Sequence, residues 1–124
     1  MPTLDISKTE IVTTRLKYPE GPIHCADGSI VLVEIRGQQL TLVSPDGTQK
    51  KLADIPGGPN GAAVGADGQI WVCNDGGFDW IPIPPEKPFI WVAGNQPASY
   101  KTGSLDQVDV AKGTVSTEFT SAAK

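Results

Sequence analysis

Histidine occurs once in this 124-residue sequence, as His24, with no second histidine and no Gly-x-Ser-x-Gly elbow to accompany it. A serine-hydrolase triad therefore has no support. The two cysteines, Cys25 and Cys73, are too few for a disulfide framework. Both lie in apolar, strand-like runs and read as buried free thiols in a reducing compartment. Long apolar runs are missing: stretches such as Ile30-Val31-Leu32-Val33 suit a strand, not the roughly 20 residues of a spanning helix. Asp5 and Lys8 break any apolar stretch near the start, which predicts no secretory signal. Ten Lys and Arg stand against 14 Asp and Glu, giving a net charge of −4 and a pI near 4.8. No basic cluster offers phosphates a landing site, so neither nucleic acid nor membrane is an expected partner. No window shows a capped apolar stripe at helical spacing, so no helix is predicted. The expectation that remains is an acidic, cytoplasmic, all-β protein.

What is present is a repeat. At 13.1 kDa the chain suits a single domain, and its 14 glycines and 11 prolines make it turn-rich without reaching the range of disorder. A shift of 40 residues lays Pro19, Gly21, Ala26, Asp27, Gly28, Ile30 and Gly37 on Pro59, Gly61, Ala66, Asp67, Gly68, Ile70 and Gly77. These identities fall at turns, where Asp-Gly has a mechanical reason to recur. After residue 78 the match resumes at a new offset, with Leu40 and Val43 on Leu105 and Val108. Two repeats follow, 18–55 and 56–120, the second with an insertion at 78–102. The predicted strands are 21–25, 29–35, 38–44 and 48–54 in the first repeat, and 61–65, 69–74, 103–110 and 114–120 in the second. Four antiparallel strands at a 40-residue period describe a β-propeller blade. Residues 10–17 read as a leading strand that would close a ring by completing its last blade.

Tyr18-Pro19-Glu20-Gly21-Pro22, with the Asp-Gly turn and the Ile30-to-Ile35 strand behind it, resembles the opening of the gluconolactonase / regucalcin-like (luciferin-regenerating enzyme) family. Pro59-Asn60-Gly61 with Ile70-Trp71-Val72-Cys73-Asn74 is similar to that family's second blade, and Gly103 through Gly113 to the strand pair that closes it. The resemblance implies a six-bladed propeller, incomplete on this chain, with a divalent cation (calcium or zinc) in its channel and lactone hydrolysis as its activity. It also implies that Glu20 is the first metal-binding carboxylate, the remaining ligands and the general base lying on later blades. From spacing alone, Glu20 is equally a solvated loop carboxylate between two prolines.

Blade topology places Glu20 and Asn60, in the loops leading into the first strands, on one mouth with Arg36 and Asn74-Asp75 of the second-to-third turns. A carboxylate and an amide oxygen converging there suit a hard cation such as Ca²⁺. Asn60 reads first as a turn residue and second as a substrate contact. Arg36 reads as a surface charge or as a partner for a lactone carboxyl or hydroxyl. Asn74-Asp75-Gly76-Gly77 is a turn signal without the spacing of an EF-hand. The insertion holds five of the eight aromatics and five of the prolines, which predicts an extended, ordered loop rather than helix or central strand. It is expected above the mouth, with Trp80 and Trp91 as walls for a lactone ring. The function expected is a metal-dependent lactone hydrolase acting on a small molecule. The alternative is a non-catalytic propeller module or fragment that needs a partner chain or self-assembly, because two blades alone leave apolar walls such as that of Leu32 and Leu42 uncovered.

Overall fold

Asp-Gly turns set the spacing of the strands. Gly28 and Gly47 adopt φ of +84° and +86°, a left-handed conformation that glycine enters without a Cβ clash. The preceding aspartates close the turns: Asp27 accepts the Ser29 N–H at 2.9 Å, and Asp46 accepts the Thr48 N–H at 2.9 Å. The Ser29 hydroxyl, then its amide, holds the Asp27 carboxyl below its ordinary value of 3.8; the Thr48 amide, then its hydroxyl, does the same for Asp46. A depressed carboxylate stabilises the fold above its unfolded pKa, and that contribution disappears as pH falls through the folded value. Thermal melts should therefore show stability declining below about pH 4, and Asp27→Asn should make the decline shallower. An identical acid profile in that variant would remove the turn from the account.

In the computed structural model, which describes residues 3–120, one 3-10 turn at Ile6–Lys8 precedes ten strands. The first blade is an antiparallel sheet in the order β1 (Pro19–His24), β2 (Ile30–Glu34), β3 (Gln39–Val43), β4 (Gln49–Asp54). The second blade is ordered β5 (Pro59–Val64), β6 (Ile70–Asn74), β9 (Ser104–Asp109), β10 (Thr114–Thr120). Between β6 and β9 lies a two-stranded hairpin, β7 (Trp80–Ile83) with β8 (Ile90–Ala93). The 40-residue shift carries β1 onto β5 and β2 onto β6 residue for residue.

The core lies between the blades. Side chains alternate across a strand, so Val31, Val33 and Leu40 share one wall of blade 1, joined by Ala53 and Ile55. Ile70, Val72 and Val108 meet them from blade 2. The two sheets do not close into a ring. Trp71, Cys73, Leu105 and Phe119 occupy the opposite wall of blade 2, where Phe119 is 62% exposed.

Three expectations are corrected here. Residues 10–17 form no strand; they cross the other wall of blade 1 instead. The Thr13 hydroxyl donates to Gly47 O at 3.0 Å, Gln49 Nε2 donates to Thr13 Oγ1 and Thr14 O, and the Lys17 N–H donates to Glu34 Oε2. That cover leaves Leu32, which the strand-by-strand reading left bare, buried together with Thr41 and Val43 of this wall, while Leu42 packs against the core on the other side. The insertion is a hairpin rather than an unpaired loop, because Pro82 sits at an edge where its missing N–H breaks no ladder. Cys25 and Cys73 are free thiols as expected, but Cys73 is exposed and Cys25 only half-buried.

Candidate functional site

Glu20 is the second residue of β1 and Asn60 the second of β5, at equivalent places in the two blades. Both are exposed. The two strands run side by side, so closely that a Cβ on Gly21 would stand 2.6 Å from the Ala62 nitrogen. The loops on this side are tied together. Ile35 N–H donates to Tyr18 O at 2.9 Å within blade 1, and Gln38 Nε2 donates to Gly57 O at 3.0 Å between the blades. Asn60 Nδ2 donates to Asp75 Oδ2 at 3.1 Å, which turns the Asn60 amide nitrogen toward Asp75 and leaves its oxygen for another partner. Asp75 also accepts the Gly77 N–H at 2.9 Å.

Among the described residues no three His, Cys, Asp or Glu side chains converge as a metal centre would require. The donors at this mouth are oxygens: the Glu20 carboxylate, the Asn60 amide and the half-buried Asp75 carboxylate. They match a hard cation in kind, although calcium takes six to eight oxygen ligands. His24 and Cys25, the softer donors, sit at the far end of β1 beside the Asp27 turn.

Asn74 takes a different role from the substrate contact anticipated in sequence. It is 8% exposed, and the protein occupies its whole amide. Its Oδ1 accepts the N–H groups of Gly58 (2.8 Å) and Gly76 (3.0 Å). Its Nδ2 donates to Pro56 O (2.8 Å) and to Asp106 Oδ2 (2.9 Å). Asp106, itself buried, accepts the Ser104 and Thr117 hydroxyls on its other oxygen. Asn74 thus fixes the loop that presents Asn60 and Asp75. Glu34 does the same in blade 1, accepting the Lys17 N–H on one oxygen and the Thr41 hydroxyl and Gln39 amide on the other. Glu34, Thr41 and Asp106 carry no flag in a single sequence, but Glu34 and Asn74 stand 40 residues apart. A polar residue closing the same apolar strand in both repeats was the available signal.

The hairpin touches blade 1 through Tyr18 and Arg36. Pro82 pairs with Trp91 and Trp80 with Ala93, which puts both tryptophans on one face. On that face the Trp80 ring meets Tyr18 at 4.9 Å between centroids and Phe78 at 6.0 Å. The Arg36 guanidinium lies 4.6 Å from the Trp91 centroid, a cation–π contact that joins blade 1 to the hairpin. Tyr18, two residues before Glu20, opens the motif read in sequence but was not anticipated as a site residue. An open cleft of about 350 Å³ elsewhere, lined by Tyr100, Leu105 and Phe119 among others, contains none of the anticipated site residues.

Comparison with curated proteins gives no significant match. The family model of the SMP-30/Gluconolactonase/LRE-like region matches residues 18–117, from the tyrosine that opens the mouth to the middle of β10. With two antiparallel four-stranded blades and that match over most of its length, the chain belongs to the SMP-30/gluconolactonase/LRE-like family.

Proposed function

We propose that this chain carries the Glu20 side of a metal-dependent hydrolase site that opens a sugar lactone or a related cyclic ester. The observation that carries the reading is an exposed carboxylate at the mouth of blade 1, beside an equivalent amide on blade 2, in a chain of this family. Glu20 would hold the cation and Asn60 Oδ1 would be a second oxygen donor, calcium suiting these donors better than zinc. A divalent cation bound there supplies Lewis-acid polarisation of the lactone carbonyl. In the reaction, a water oxygen bonds to the carbonyl carbon, the ring C–O bond breaks, and the departing oxygen takes up a proton to give the hydroxy acid. Asn74 and Glu34 hold the two loops so that Glu20 and Asn60 stay at the mouth. Two free thiols, one of them exposed, fit a cytoplasmic setting.

Calorimetry with Ca²⁺ on the parent and on Glu20→Gln tests the metal. The expected result is at least about tenfold weaker binding in the variant, since the charged ligand is lost. Equal affinities would end the assignment. The second reading, a non-catalytic binding module, is favoured by the internal occupation of Asn74. It predicts ligand binding with no metal-dependent opening of δ-gluconolactone in a pH-stat.

A further inference from the structure

We infer that Asp75 is a positioning residue that holds Asn60 with its amide oxygen, rather than its nitrogen, toward the mouth; the inference rests on the reading of Glu20 and Asn60 as cation donors. The two ends of an amide are unlike, and a cation accepts only the oxygen. A carboxylate only accepts hydrogen bonds, so an amide 3.1 Å from Asp75 Oδ2 has to present its nitrogen there, which sends its oxygen the other way. Asp75 is itself held on two sides. Its Oδ1 accepts the Gly77 N–H at 2.9 Å, and its own N–H donates to Gly58 O at 2.9 Å. Gly58 provides the space: a Cβ there would collide with Asp75 Oδ1, although the φ of Gly58 is not left-handed. Room for the Asp75 carboxylate, not backbone conformation, therefore calls for glycine at 58.

The repeat sets this pair apart. The 40-residue shift lays Asn60 on Glu20, Asp75 on Ile35 and Gly58 on Tyr18. Blade 1 thus has a buried apolar side chain where blade 2 has the carboxylate. Its own mouth residue needs no orienting partner, because both ends of the Glu20 carboxylate are oxygens. Only the blade that offers an amide carries a group to align one. Asp75 acts through Asn60 rather than as a ligand, in the way that outer partners fix the ligands of metal sites.

Calcium calorimetry on the full chain tests this as a double-mutant cycle. Asp75→Ala should weaken binding about tenfold, the scale for losing the partner that orients a metal ligand, and Asn60→Ala should weaken it to a similar extent. The two together should cost no more than either alone, since residues that act through one contact do not add. Asp75→Asn keeps an acceptor oxygen without the charge and should stay within about threefold of the parent. A metal-free readout runs beside it. In heteronuclear amide spectra one Asn60 side-chain proton should lie downfield in the parent and return to the free-amide position in Asp75→Ala. Losses that multiply, equal losses in Asp75→Ala and Asp75→Asn, or unchanged affinity in Asp75→Ala would overturn the inference. So would a free-amide signal in the parent, which decides the case even if Asp75→Ala does not fold. An Asp75-dependent amide shift in a parent that binds no calcium would keep the orientation and refute the metal reading.

Discussion

Replacing Asn74 with alanine should cost about 3 kcal/mol of folding stability or more, the scale for breaking a buried polar network. The truncation leaves the Gly58 and Gly76 N–H groups without their acceptor and the 3%-exposed Asp106 carboxylate without its amide donor. Urea unfolding should show a lower midpoint at unchanged slope. Asn74→Asp provides a sharper version, because it sets a second carboxylate where the amide now lies 2.9 Å from Asp106. Like charges raise a carboxyl pKa, so that variant should regain stability as pH falls and one of the pair protonates. A loss under 1 kcal/mol in Asn74→Ala would show that the network does not hold the loop.

The second large effect is expected at Gly21. Its φ is +56°, and a Cβ there would stand 2.6 Å from the Ala62 nitrogen and 3.1 Å from Gly61 Cα, all backbone atoms that cannot rotate away. Left-handed strain and overpacking together place Gly21→Ala near a 3 kcal/mol loss, roughly. Gly68→Ala is the control, since Gly68 has φ of +80° but nothing within 4 Å of the added carbon. It should cost about 1 kcal/mol, the backbone part alone. The difference between the two melts measures how tightly blade 1 sits on blade 2. Equal losses would mean that the blades part without resistance.

The strands were legible because their signals are local. Asp-Gly turns and β-branched runs repeat at 40 residues, and the structure follows them to within a residue or two at most ends. The placement of Glu20 and Asn60 on one side follows from the same topology. The rest depends on contacts distant in sequence. Residues 10–17 have the composition of a strand, yet side-chain hydrogen bonds to Gln49 and Glu34 hold them across a blade wall instead. Pro82 argued against strand in the insertion, but an edge position tolerates it. Asn74 looked available because a turn asparagine usually is. Only the fold shows Asp106, 32 residues away, filling its amide. Cys73 sits in an apolar run, but on the wall of blade 2 where it and Phe119 stay exposed.

The hairpin inserted in blade 2 also sets an order of events in time. Every pairing in blade 1 joins neighbours in the chain across short turns. In blade 2, β6 must find β9 across residues 75–103. Loop-closure entropy rises by roughly 0.6 kcal/mol per doubling, so that step costs about 1.5 kcal/mol more than closing a five-residue turn. Contacts distant in sequence slow the rate-limiting step of folding. Blade 1 should therefore form first and offer Val33 and Leu40 as a template on which β6 and β9 then assemble. Pulsed hydrogen exchange during refolding should find the amides of Val33 and Leu40 protected before those of Val72 and Val108, and joining residues 77 and 103 with a short turn should narrow that interval.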